Sequence, residues 1–106
     1  MTELRVFAIR HNPTGKFLPQ PAGRGGRGFT HVEPKAFTGE PNSIPRLFPS
    51  RKNAHLALKE WCKGKMYRYA SMDGDEDFER RPVKGRDLSD MEIISVQLTE
   101  SEYTLI

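Results

Sequence analysis

At 106 residues with a formal net charge of +3, the chain is long enough for one domain with one modest core and too short for a second. Hydrophobic residues make up 36% and charged residues 29%, a lean balance that predicts a small core with long polar excursions. No apolar run approaches the ~18 residues that span a bilayer and no apolar leader stands at the N-terminus, so a cytoplasmic protein without a membrane partner is expected.

The total charge conceals a division. Residues 1–72 carry thirteen Lys and Arg against four acids, and residues 73–106 carry four against ten. Such polarity suits a binding protein that meets an anionic surface in one orientation, and equally two halves that attract each other across the fold. The single cysteine, Cys62, excludes an internal disulfide and fits a reducing compartment.

Leu4 to His11, LRVFAIRH, is rich in β-formers and apolar on both faces through Val6, Phe7, Ala8 and Ile9, which predicts a central strand. Asn12 to Gly15 carry turn chemistry, with Pro13 presetting its φ and Gly15 free to take a left-handed position. Lys16 to Pro19 then returns as the second strand of a hairpin, with Phe17 or Leu18 toward the core. Residues 20–45 turn to Gly, Pro, Arg and Thr with little periodicity and read as a long loop. Within it AGRGGRGF, 22–29, sets Arg24 and Arg27 among four glycines, where backbone freedom lets guanidinium groups reach phosphates or stack on bases. No helix pattern follows these glycines, so they make no dinucleotide fingerprint.

Arg46 to Lys65 holds the clearest element. A short third strand at Arg46–Phe48 leads into Pro49, which biases the chain away from helix, and Ser50, which is the N-cap. Ala54, Ala57, Leu58, Trp61 and Cys62 recur at i, i+3, i+4, i+7 and i+8, one apolar stripe at the helical period. Gly64 ends the helix, with Lys59, Lys63 and Lys65 placed at the negative end of its dipole. Cys62 lies on the stripe and reads as a core residue, not a nucleophile.

Residues 70–87 read as a solvated acidic loop around Asp73, Asp75, Glu76, Asp77 and Glu79, with Arg80, Arg81, Lys84 and Arg86 pairing locally. The Asp alternation is no calcium loop, because Phe78 stands where glycine is needed and Lys84 where a bidentate glutamate is needed. In Met91 to Leu98, Ile94, Val96 and Leu98 alternate with Ser95 and Gln97 as a half-buried strand. Glu100 onward reads as a tail, with Tyr103, Leu105 and Ile106 available to dock.

No catalytic or metal set emerges. His11, His31 and His55 are isolated, and His31 with Glu33 supplies only two metal ligands; an enzyme, a metal and a cofactor are not expected. Two features stand out as binding surface. Arg51 and Lys52 occupy the first helical turn, where the positive dipole end disfavours cations by ~0.3–1 kcal/mol each. An anion held by Ser50, the free amides and these two cations explains them, and so does full solvation. Leu56 lies on the polar face opposite Trp61, either covered by the long loop or left as an apolar spot for a partner. Arg24, Arg27, His31, Arg46, Ser50, Arg51, Lys52 and Leu56 are therefore the candidate binding residues.

FAIRHNPTGKFLP at 7–19, GRGGRGFTHVEP at 23–34, PRLF with Ala54, Ala57, Leu58, Trp61 and Gly64, and DMEIISVQL at 90–98 resemble a group of small tailed-bacteriophage proteins. The resemblance spans most of the chain except the acidic block. It carries over no activity and no catalytic residues, and it implies a phage product in an infected bacterial cytoplasm. The expected architecture is one α+β domain over 1–106: a small antiparallel sheet of N-terminal hairpin, short third strand and C-terminal strand, with one helix packed on one face. The expected function is non-enzymatic inhibition of a host or anti-phage defence protein by surface occlusion. The alternative is a nucleic-acid or nucleotide (phosphate) binder using the Arg-rich loop and the helix N-terminus.

Overall fold

A computed structural model describes residues 3–21, 26–70 and 72–99, excepting the side chains of 3, 26, 27 and 99. Arg24 and the docking residues proposed in the tail, Tyr103, Leu105 and Ile106, lie outside the described residues. The fold is α+β. Strands β1 (Glu3–His11), β2 (Lys16–Phe17) and β5 (Met91–Thr99) form an antiparallel sheet in the order β2-β1-β5. Strands β3 (Lys65–Ala70) and β4 (Glu76–Arg81) form a separate two-stranded ribbon, and the helix α1 runs Arg51–Cys62.

β1 is the central strand of the three, and Ala8 and Ile9, on its opposite faces, are both buried. Its turn to β2 closes through Gly15 at φ +71°, where the amide donates to the His11 carbonyl at 2.8 Å. Helix α1 begins where Ser50 Oγ accepts from the Asn53 amide at 3.1 Å. Gly64 follows its end at φ +117°, and a Cβ there would collide with the Arg81 carbonyl. Ala54, Leu58 and Trp61 bury against Ile9, Leu18, Phe29, Phe48 and Met91, with Phe7, Val32, Ala57, Cys62 and Ile93 packed around them.

Four details differ from the sequence reading. The third strand at 46–48 shrinks to bridges: Phe7 and Phe48 exchange both backbone hydrogen bonds, at 2.9 and 2.8 Å, and Pro19 faces Pro45. Pro45 and Pro49 lack the amides that would extend this ladder. Second, the loop at 20–45 contributes to the core, since a 3₁₀ turn at Gly26–His31 buries Phe29 edge-on against Phe48, 5.9 Å between centroids.

Third, the acidic loop at 70–87 contains β4. Its carboxylates find cross-strand partners, with Arg68 paired to Glu76 and the Tyr69 hydroxyl donating to Asp77 Oδ2 at 3.3 Å, so charge supports the ribbon where apolar patterning does not. Of the cations assigned to local pairing, Arg81 meets Glu79, but Arg80 reaches Glu60 and Arg86 reaches Glu33. Arg80–Glu60 and Arg86–Glu33, with Arg10–Glu92 and Arg68–Glu76, join the two oppositely charged halves. Fourth, β5 turns Met91 and Ile93 to the helix, while Ile94 and Val96 lie half-buried and Leu98 exposed. Both parities of this strand hold apolar residues, so alternation alone does not choose the face.

Candidate functional site

The structure brings Ser50, Arg51 and Lys52 to the seam between α1 and β5. Arg51 is exposed at the helix start but is not free of partners. Its guanidinium lies 5.2 Å from the Phe7 ring centre, and Nη1 donates to the Ile93 carbonyl at 3.3 Å. These contacts offset the dipole penalty of a first-turn cation. Lys52 and His55 are exposed beside it. Together they rim a groove of about 680 Å³ floored by Leu58, Met91 and Ile93, with Leu88 and Glu92 on the far wall.

Backbone polarity adds a second property to this groove. Phe7 bonds to Phe48 and the Ile9 carbonyl accepts from Leu18, so the odd-numbered residues of β1 address the β2 side. The even-numbered ones address β5, and the register makes Val6–Val96, Ala8–Ile94 and Arg10–Glu92 the hydrogen-bonded pairs. The amides and carbonyls of Ile93, Ser95 and Gln97 therefore aim at the outer edge. Among the described residues β5 pairs only with β1, and the bond from Arg51 to the Ile93 carbonyl shows the outward direction independently. An extended chain laid here would gain a ladder, an apolar floor and a cationic rim.

The other candidates are placed elsewhere. Arg46 packs over both Phe29 and Phe48, 4.6 and 4.8 Å from their ring centres, and burial pushes its guanidinium pKa down. His31 Nε2 bonds the Met66 carbonyl at 2.8 Å while its ring meets Tyr67 edge-on. Both therefore hold the loop to the body. For Arg27 the described backbone lies in the 3₁₀ turn. Leu56 is exposed and stands apart from the groove.

Sequence reasoning missed His55, Leu88, Glu92, Ile93 and the open edge of β5. The local signal for Leu88 was Asp87-Leu88-Ser89, a cap in which Asp87 Oδ1 accepts from both the amide and the hydroxyl of Ser89 at 2.9 Å. Those bonds hold the Asp87 carboxyl below the usual range, the amide foremost. The groove carries no nucleophile paired to a base. Cys62 lies on the stripe, where burial pushes its thiol up and disfavours the thiolate. Among the described residues no three His, Cys, Asp or Glu side chains converge on a metal-sized site, and no helix is long and apolar enough to cross a membrane. No family model, curated protein or solved structure matches the chain.

Proposed function

We propose that this chain is a non-enzymatic binding protein that pairs an extended, acidic segment of a partner protein along β5 and occludes it. The observation that carries the reading is the coincidence, on one seam, of a nine-residue strand edge that has no strand partner among the described residues, an apolar floor and the cations Arg51 and Lys52. Each answers a different part of a peptide: backbone, alternate side chains and acidic groups. The resemblance to tailed-bacteriophage proteins supplies the setting. The partner is a host or anti-phage defence protein in the bacterial cytoplasm, and occlusion inhibits it.

The test is affinity capture from infected cells with and without nuclease treatment, comparing the native chain with the double variant Lys52→Glu, His55→Glu. These two residues are exposed, so the charge reversal leaves packing intact. The expected result is a protein retained by the native chain and lost by the variant. Co-purification of nucleic acid alone, abolished by nuclease, favours the nucleic-acid alternative, and a protein retained equally by both forms removes the groove from recognition.

A further inference from the structure

A second concavity, about 260 Å³, opens between the β1–β2 turn and the stretch Lys84–Asp87. Trp61 and Met91 line its apolar part, and Met91 also lines the α1–β5 groove. Behind its polar part lies Arg86, whose side chain is only 2% exposed. Nη1 donates to the Trp61 carbonyl at 2.8 Å, and Nη2 to the Val32 carbonyl at 3.3 Å and to Glu33 Oε1 at 2.6 Å. Nε is buried and has no acceptor among the described residues. A charged donor enclosed in this way is rare, because a buried donor without an acceptor forfeits its hydration and gains nothing in return.

The charges around it have one sign to spare. The two carboxylates of the pocket are already engaged, Glu33 with Arg86 and Asp87 with Ser89. Lys16 and Lys84 are exposed on the rim and meet no carboxylate among the described residues. His11 stands beside them, with Nδ1 bonded to Thr14 Oγ1 at 2.7 Å. The structure therefore offers an inner donor that lacks an acceptor and two outer cations that lack an anion.

We propose that this pocket binds a small oxyanion, the phosphate or carboxylate head of a small molecule. Lys16 and Lys84 supply the outer charge, and Arg86 Nε, sealed from solvent in the free chain, is the inner donor once the stretch 85–87 yields to the anion. An oxyanion fits because its several acceptor oxygens answer separated donors at once, and charge-assisted bonds of this kind are the strong ones. The site is independent of partner binding on β5, and neither proposal requires the other.

Trp61 is the only tryptophan in the chain and lines the pocket, so its emission reports on occupancy. Inorganic phosphate and succinate are titrated separately, with sodium chloride at matched ionic strength as the reference. The expected result is a saturable change with at least one of the two, and the anion that saturates at lower concentration identifies the head group. Lys16→Ala and Lys84→Ala should each weaken that binding by about tenfold. Both side chains are exposed, so a melting curve like that of the native chain confirms that only the site has changed. Lys59→Ala, outside the pocket, should leave affinity unchanged. Titrations that coincide with chloride for both anions overturn the proposal. Binding that is equally strong in both lysine variants overturns it as well.

Discussion

Arg86 and Trp61 are tied together twice: the guanidinium lies 4.3 Å from the indole ring centre, and Nη1 donates to the Trp61 carbonyl. Trp61 Nε1 in turn donates to the Val32 carbonyl at 2.7 Å, which Arg86 Nη2 also reaches. One carbonyl of the long loop is thus held by both. Trp61→Ala should cost about 3–5 kcal/mol, most of the stability of a domain of this size. Arg86→Ala should cost about 2–4 kcal/mol, because the stacking and the charged hydrogen bonds go together. Arg86→Lys should recover less than half, since an ammonium cannot reproduce the fork. In urea unfolding, the double variant should cost less than the sum of the singles.

Arg51 and Lys52 should behave differently although both are first-turn cations. Lys52→Glu complements the dipole and should stabilise by a few tenths of a kcal/mol. Arg51→Glu loses the Phe7 ring and the Ile93 carbonyl, and should destabilise by about 1 kcal/mol. Equal effects of the two in denaturant titrations would contradict the placement of Arg51 across the seam.

Hydrogen exchange tests the direction of the β5 backbone. The amides of Glu92, Ile94, Val96 and Leu98 face β1 and should be protected. Those of Ile93, Ser95 and Gln97 should exchange quickly and become protected only when a partner strand is bound. Protection of the odd set in the free protein would reverse the register.

Acid sensitivity should follow Glu60. Arg80 foremost and then Lys63 hold its carboxyl below the usual glutamate range by hydrogen bonding, with Arg80 Nη2 at 2.5 Å. Since the folded-state value is depressed, this stabilisation is complete above the ordinary glutamate value. It is lost as pH falls through the lower folded value. Urea midpoints measured from about pH 7 down to about pH 3 should decline less steeply in Glu60→Gln than in the native chain. The same sign holds for Asp87, whose carboxyl is lowered by Ser89.

What could be read from the sequence was whatever rested on local chemistry. The N-cap at Ser50, the stripe from Ala54 to Cys62 and the turn at Gly15 are each decided within a few residues, and all three stand. The parity of β5 was not legible, because Ile93 and Ile94 are equally apolar and only the helix selects between them. Arg46 read as a ligand contact for a related reason. A lone arginine between Ile44 and Phe48 gives no sign that Phe29, seventeen positions earlier, will cover it. The strand Glu76–Arg81 was hidden by its charge, since its support comes from Arg68 and Tyr69 across the ribbon and not from burial. At the candidate site the cations were visible in sequence, whereas the outward direction of the β5 edge beside them arises only from pairing with β1.

The β3–β4 ribbon is held at its base. Arg80 Nη1 donates to the Glu60 carbonyl at 2.6 Å, and the Met66 amide donates to Thr30 Oγ1 at 2.9 Å. Toward the tip, residues 72–79 are exposed, and a ribbon of two strands has little stability of its own. A protease should therefore nick the tip near Asp73–Asp75 before it reaches the core. The two pieces would not part. One carries β1 and α1 and the other carries β5, and the nine-residue pairing of β1 with β5 would hold them together across the cut. The chain is thus built as two complementary fragments joined by a dispensable hinge, and the halves expressed separately should reassemble into the same sheet.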